Sequence, residues 1–418
     1  MHQTATASAA EVGAAPDYAT LFVEHVLRSV RATLARVQQD PSPVLSEETR
    51  TRALHVLSFA LRLPAAWPQA RDLLLALAPK LEQAGYRGEW VPYLTQGLAL
   101  SEQLGDGLAA AELRLYIGQL HRLQSRWQAA KELLTGSAEA FAQLGEQRGQ
   151  ARALNQLAYL AWQQHQPDEV ARLAHTALAL LAEGDIERAM SLSALGLAAI
   201  EQHRWQEAEA HHRAALQIRT QHGDRRLMAW SLQNVGYALR GQGRHEETVA
   251  YFEEAIAVLT TVHDPAHCAI AQMNLGVTYS LMEASAKALE LYLAAESTFR
   301  QVGDDFNLAK VLTSKGIDYW SLDAWQDAEH VFVESIDLFK KLSEESLYLN
   351  ALNGLGITYL GQGLYDKALA TFEAVRKDLP HIQDTSAYHL LAKVIPSQIA
   401  QALEQKGRAA GLTDPKIL

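Results

Sequence analysis

Residues 224–263 read DRRLMAWSLQNVGYALRGQGRHEETVAYFEEAIAVLTTVH, and two helical stripes run through them. In the first half Leu232, Val235, Gly236 and Leu239 fall at the i, i+3, i+4, i+7 spacing of one helical face. Thr248, Phe252, Ala255, Ile256 and Leu259 make a similar stripe in the second half. Gly241 and Gly243 stand in the break between them, where a left-handed residue ends a helix at no steric cost. The stretch therefore predicts two antiparallel helices packed face to face.

The same pattern recurs along the chain. A small residue after an aliphatic one stands at Gly118, Ala158, Gly196, Gly236, Gly276, Gly316 and Gly356, a constant step broken only by the slightly shorter one from Ala158 to Gly196. The period is thus about 40 residues, within the range of helical repeat arrays. Twelve residues after each anchor come Ala130, Val170, Ala208, Thr248, Ala288, Ala328 and Ala368. Four further on, Phe252, Tyr292, Phe332 and Phe372 repeat a ring, and Trp127, Trp205, Trp325 and Tyr365 repeat another in mid-unit. Small residues let two backbones approach and rings fill the gaps left between neighbours. Gly105-Asp106, Gly184-Asp185, Gly223-Asp224 and Gly303-Asp304 each set a helix-stopping glycine before a capping aspartate. Asp264-Pro265 makes the same junction with proline in the first turn, and Pro167 also opens a helix.

Outside this register, residues 1–16 read as a disordered leader and residues 17–65 as amino-terminal capping helices, over Asp17 to Gln39 and Ser46 to Leu63. Residues 66–105 read as a degenerate repeat, with helices around Gln69 to Ala84 and Pro92 to Leu104 separated by Gly85. Seven repeats fill 106–384, a capping helix kinked at Pro396 spans 385–407, and 408–418 is a tail. The fold class is all-α.

The spacing of Leu232, Val235, Gly236, Phe252 and Ala255, with their counterparts in the other units, resembles the tetratricopeptide repeat family. The family's common unit is shorter, about 34 residues, and carries a proline near the end of its second helix, which is absent here. The longer unit is similar to the repeats of kinesin light chains, spindle-orientation adaptors and the sensor domains of maltose-regulator-type activators. The resemblance implies a right-handed superhelical solenoid of antiparallel helix pairs, with the first helix of each unit lining the concave side. Lys315, which replaces the expected aliphatic residue, predicts a local irregularity in the unit at Gly316.

Carried over by register, the groove positions hold Arg152, Asn155, Tyr159 and Trp162, then Trp230, Gln233, Asn234, Tyr237 and Arg240. Asn274, Lys310, Ser314, Trp320, Asn350 and Asn353 continue the track. Carboxamides donate and accept at once, which suits an extended peptide backbone, and Arg, Trp and Tyr anchor interfaces. Related arrays with a carboxylate clamp use lysine and arginine more heavily, so a C-terminal chaperone tail is not the favoured occupant.

Composition narrows the function classes. The net charge of −11 offers no basic field for nucleic acid or anionic lipid, and the longest apolar runs fall short of a membrane span. The single cysteine, Cys268, forms no internal disulfide and fits a reducing, cytoplasmic setting; it reads as a buried structural thiol. No Gly-x-x-x-x-Gly-Lys phosphate loop occurs, and His245-Glu246 lacks the second histidine of a zinc helix because Val249 stands there. His203, His211, His212 and His222 read as surface histidines with no carboxylate or thiolate at ligand spacing, and His263 and His267 flank a helix start. No catalytic, cofactor or metal constellation stands out. The sequence thus predicts a scaffold that binds a protein or peptide segment in a concave groove, with a ligand- or peptide-sensing module acting through a partner chain as the alternative.

Overall fold

The computed structural model describes residues 17–42, 44–83, 87–382 and 385–409. The predicted leader, Gly85 and the tail beyond residue 409 lie outside them. The described residues form helices and no strand. Contacts divide the chain into two bodies, Met1–Ala198 and Ala199–Leu418.

In the first body the helices are α1 (Tyr18–Gln39), α2 (Glu47–Ala60), α3 (Trp67–Gln83), α4 (Arg87–Gln103), α5 (Gly107–Leu123), α6 (Trp127–Leu144), α7 (Gln147–Gln163) and α8 (Pro167–Leu180). The next helix, α9 (Arg188–Glu201), carries the division between the bodies. The second body holds α10 (Trp205–His222), α11 (Arg225–Gly241), α12 (His245–Thr261), α13 (Pro265–Leu281), α14 (Ser285–Val302), α15 (Asp305–Ser321), α16 (Trp325–Leu342), α17 (Glu345–Gly361), α18 (Tyr365–Asp378) and α19 (Thr385–Ala409). Within each body consecutive helices pack against each other, and the first helices of successive pairs also touch, as α11 on α13, α13 on α15 and α15 on α17.

The anchor residues do what their size predicts. A Cβ built on Gly276 would lie 2.5 Å from Cε1 of Tyr292, on Gly316 2.5 Å from Phe332, and on Gly356 2.4 Å from Phe372. The ring sixteen residues on fills the space that a side chain at the anchor would occupy. The tryptophans reach the neighbouring pair: Trp205 lies on Gly241 at the end of α11, and Trp325 on Gly361 at the end of α17. Gly241 is therefore a helical residue needed for close approach, and only Gly243, at φ +75°, ends the helix in the left-handed region.

That left-handed residue recurs in every pair whatever its identity. Seven residues after each anchor stand Ser125, His165, His203, Gly243, Glu283, Asp323 and Gly363, all with φ between +53° and +75°. The strain at the non-glycine positions is of the order of 1 kcal/mol. It is offset by the helix-ending bond that the conformation allows: Arg126 N–H donates to His121 O at 2.9 Å, Arg244 to Leu239 at 3.1 Å and Ala324 to Tyr319 at 2.9 Å.

At the junctions between pairs, Asp224, Asp264 and Asp304 cap α11, α13 and α15 by accepting from the N–H three residues on. Pro167 and Pro265 take the first turn of α8 and α13. Three expectations are corrected. Gly184 is not left-handed; α8 stops at Leu180, Asp185 bonds Glu187 N–H at 2.9 Å, and α9 begins only at Arg188, because this unit is two residues short. Pro92 lies inside α4 rather than opening it. Pro396 lies inside α19, which runs from Thr385 to Ala409. The unit at Gly316 is regular: α15 is unbroken, and buried Lys315 is matched by Glu296, whose Oε2 lies 2.5 Å from its Nζ.

Candidate functional site

In the second body, α11, α13, α15 and α17 form one layer, and the polar groove positions of the sequence lie on it. Trp230 is half-buried against His267, ring centroids 4.6 Å apart, with the Arg226 guanidinium 5.1 Å from its own ring centroid. Asp264 ties these together, 2.5 Å from Arg226 Nε and 2.9 Å from His267 Nδ1. Burial opposes its ionisation, but the bonds from His267 and Arg226 outweigh that and hold its carboxyl well below the usual range.

Gln233 is buried, Asn234 and Asn274 are half-buried, and Tyr237 is 41% exposed. Arg240 stacks over Tyr237 at 4.4 Å and donates from Nη1 to the Asn274 carbonyl at 3.1 Å. Burial lowers its pKa against the pull of the Tyr237 hydroxyl. Lys310 is lowered too, by burial and then by the charge of Arg240. Ser314 donates to the Lys310 carbonyl at 3.2 Å. Asn350 is exposed, and Asn353 is buried with its Oδ1 unbonded. Trp320 stands apart: its ring stacks on Phe332 and its Nε1 donates to Thr358 Oγ1 at 2.9 Å, so it serves the packing of α15 on α16 and α17.

The four positions in the first body are drawn into α7's own contacts. Arg152 pairs with Glu112 at 2.7 Å. Asn155 is buried, donating to Glu187 O at 3.2 Å and accepting from Ser191 Oγ at 2.7 Å, so both ends of its amide are taken. Tyr159 and Trp162 meet edge to face, 6.5 Å between centroids.

Sequence reasoning missed the titratable side chains set at buried positions. His212 is fully buried at the place where the neighbouring pairs carry Phe252, Tyr292 and Phe332, and neither ring nitrogen has a hydrogen-bond partner, so it is no surface histidine. Burial, with the charges of Arg219 and His211, lowers its pKa to about 3. Asp318 is 2% exposed where the other units carry Leu, Ala or Thr; burial raises its pKa against the hydroxyls of Ser285, Ser280 and Tyr292. Aligning the repeats column by column would have exposed both. Cys268 is half-buried rather than buried, its Sγ 3.8 Å from Thr260 Oγ1.

A tetratricopeptide repeat family model matches residues 187–261, 227–301 and 307–377. The helix pairs within those residues are tetratricopeptide repeats. No curated protein sequence matches the chain. Among solved structures, a Rap protein complexed with competence and sporulation factor is 15% identical over 91% of this chain and 99% of that one, with a TM-score of 0.58. A signal transduction ATPase with numerous domains and a tetratricopeptide repeat sensor, from Pyrococcus horikoshii, is 15% identical over 84% of this chain at a TM-score of 0.58. The match spans only 55% of that protein. Aspartyl phosphate phosphatase F from Bacillus subtilis is 14% identical over 88% of this chain and 96% of that one, at 0.54. At such identities the likeness is one of fold. Among the described residues, no helix is long and apolar enough to cross a membrane, and no cluster of three metal-ligating side chains occurs.

Proposed function

We propose that the layer built from α11, α13, α15 and α17 is a groove that holds an extended peptide or protein segment, and that the chain acts by binding rather than by catalysis. The observation that carries this reading is the run of polar and aromatic groups on one layer, the half-buried Asn234, Asn274 and Arg240 with the exposed Tyr237, continued by Lys310 and Ser314. Carboxamides on successive first helices match the alternating N–H and C=O of an extended chain. The acidic balance of the protein, −11 overall, argues for a protein partner over nucleic acid or an anionic membrane. In this reading residues 17–65 and 385–407 cap the array, and 66–105 is a degenerate repeat.

A second reading, a sensor that passes a signal to another chain, gains support from two proteins of the same fold. One is complexed with competence and sporulation factor, and the other carries its repeats as a sensor. Two measurements separate the readings. Asn234→Ala with Asn274→Ala should abolish capture of a protein partner from cell extract while the helical circular dichroism is kept; undiminished capture sinks the groove. Stabilisation by a low-mass fraction in a thermal shift supports the sensor, and no shift with any such fraction removes it.

A further inference from the structure

Where the pair of α13 and α14 meets α15, three residues depart from the repeat pattern. In two other pairs an indole lies against a glycine of the next pair, Trp205 on Gly241 and Trp325 on Gly361. The same two positions here hold Ser285 and Ser321, whose hydroxyls bond each other at 2.7 Å. A serine pair thus stands where a ring would fill the joint, and both serines line a recess of about 810 Å³. That size falls within the range of roughly 300–1,000 Å³ common to ligand pockets.

The third departure is an acid. Asp318 lines the recess where other units carry Leu, Ala or Thr; it is 2% exposed, and its Oδ2 has no hydrogen-bond partner. The hydroxyls of Ser285, Ser280 and Tyr292 favour its ionised form, but burial outweighs them, and no cation is among the groups that act on it. Exposed Glu283 adds a second carboxylate to the lining. Lys287 lines it too, but is exposed and carries its Nζ over the Tyr279 ring, 5.2 Å from the centroid. The carbonyl ends of α13 and α15 border the recess with their partial negative charge, against the one positive end of α14. A buried carboxylate short of donors gains most from a cation that also brings N–H groups. The remaining wall is aliphatic, with Ile317 and Leu322 44% and 51% exposed beside Ala284. Such a wall suits the methylene stem of a long cationic side chain.

We infer that this recess takes the ammonium or guanidinium of a Lys or Arg side chain from a partner segment, its charge meeting Asp318 and Glu283 and its stem lying on Ile317 and Leu322. The acidic balance of the chain, −11 overall, favours the approach of a basic partner. The inference stands apart from the groove reading, because neither Asn234 nor Asn274 lines the recess.

The test is a displayed library of random peptides, depleted on the Asp318→Asn protein and then selected on the full chain. Enriched peptides should share a Lys or Arg. The strongest binder is synthesised and its Kd measured by fluorescence anisotropy. Changing its basic residue to Met should weaken binding about tenfold or more, as should Asp318→Asn, and the two losses should not add when combined. Ser285→Trp with Ser321→Gly, which restores the contact that Trp205 makes with Gly241, should abolish binding while the helical circular dichroism and the melting temperature are kept. Failure of any peptide to survive the depletion, survivors with no basic residue in common, or full binding to the refilled protein overturns the inference and leaves the groove standing. Displacement of the peptide by micromolar spermidine overturns it as well, by assigning the recess to a free amine. Circular dichroism on Asp318→Asn, and the peptide-side change on the unaltered protein, separate loss of contact from loss of fold.

Discussion

Lys315 Nζ and Glu296 Oε2 lie 2.5 Å apart, the lysine only 6% and the glutamate 16% exposed at the side chain, and Glu296 also accepts from Arg300 at 2.9 Å. Removing one partner of such a pair strands the other's charge, at a cost of about 3 kcal/mol or more. Glu296→Leu alone is expected to lower stability by that order in chemical denaturation. Lys315→Leu with Glu296→Leu should recover most of the loss, since Leu275 and Leu355 fill the corresponding place in the flanking repeats. Equal stability of single and double variants would mean the pair is not buried as described.

Two glycines should respond in opposite directions. Gly276→Ala places a Cβ 2.5 Å from the Tyr292 ring, and overpacking of this kind costs about 1–3 kcal/mol. Gly136 lies inside α6 with only Arg114 Cδ near a built Cβ, at 3.8 Å. Gly136→Ala is therefore expected to stabilise, by up to about 1 kcal/mol through helix propensity. Thermal melts of the two variants check both signs.

Acid should find His212. Its pKa falls from 6.5 to about 3 in the fold, so the unfolded chain takes up the proton first. Above pH 6.5 this group imposes no titration penalty. Between pH 6.5 and about 3 it erodes stability by about 1.4 kcal/mol per pH unit. His212→Phe, which restores the ring of the neighbouring repeats, should gain on the unaltered protein steadily as pH is lowered from 6.5 to 4.5. A gain that does not vary with pH would contradict the burial.

Asp318 titrates in the other sense. Its pKa is raised above 3.8 by burial, so the folded protein keeps the proton longer than the unfolded chain and stability declines as pH climbs from 3.8 towards the folded value. Asp318→Asn should raise the melting temperature at pH 7 and change it little at pH 3.5. A variant destabilised at both would mean the carboxylate form is the one the fold holds.

The fold was legible because its information is periodic. Gly276 with Tyr292, and Trp325 with Gly361, are pairs fixed by volume, and volume is written in residue type. The turns were legible only in part, since the left-handed residue is glycine at Gly243 and Gly363 but Ser, His, Glu or Asp in the other pairs. There the closing of two long helices and the bond across the turn impose the conformation. The groove was the harder reading. Register placed Asn234, Asn274, Arg240 and Lys310 on one layer, but could not tell that Asn155 is taken by Glu187 and Ser191, or Trp320 by Thr358. Whether a polar side chain faces a ligand or a neighbouring helix depends on partners nearly a whole repeat further along the chain, which no local pattern encodes.

The capping aspartates carry a consequence for how the chain could be rebuilt. Asp224, Asp264 and Asp304 stand one repeat apart and make the same bond to the helix they open. A cut before one of them is chemically interchangeable with a cut before another. Excising 264–303 would join His263 to Asp304 through a seam of native type, yielding a shorter protein whose new neighbours already present matching faces. Length, in such a molecule, is a variable that evolution or design can change by whole steps without inventing a single new turn.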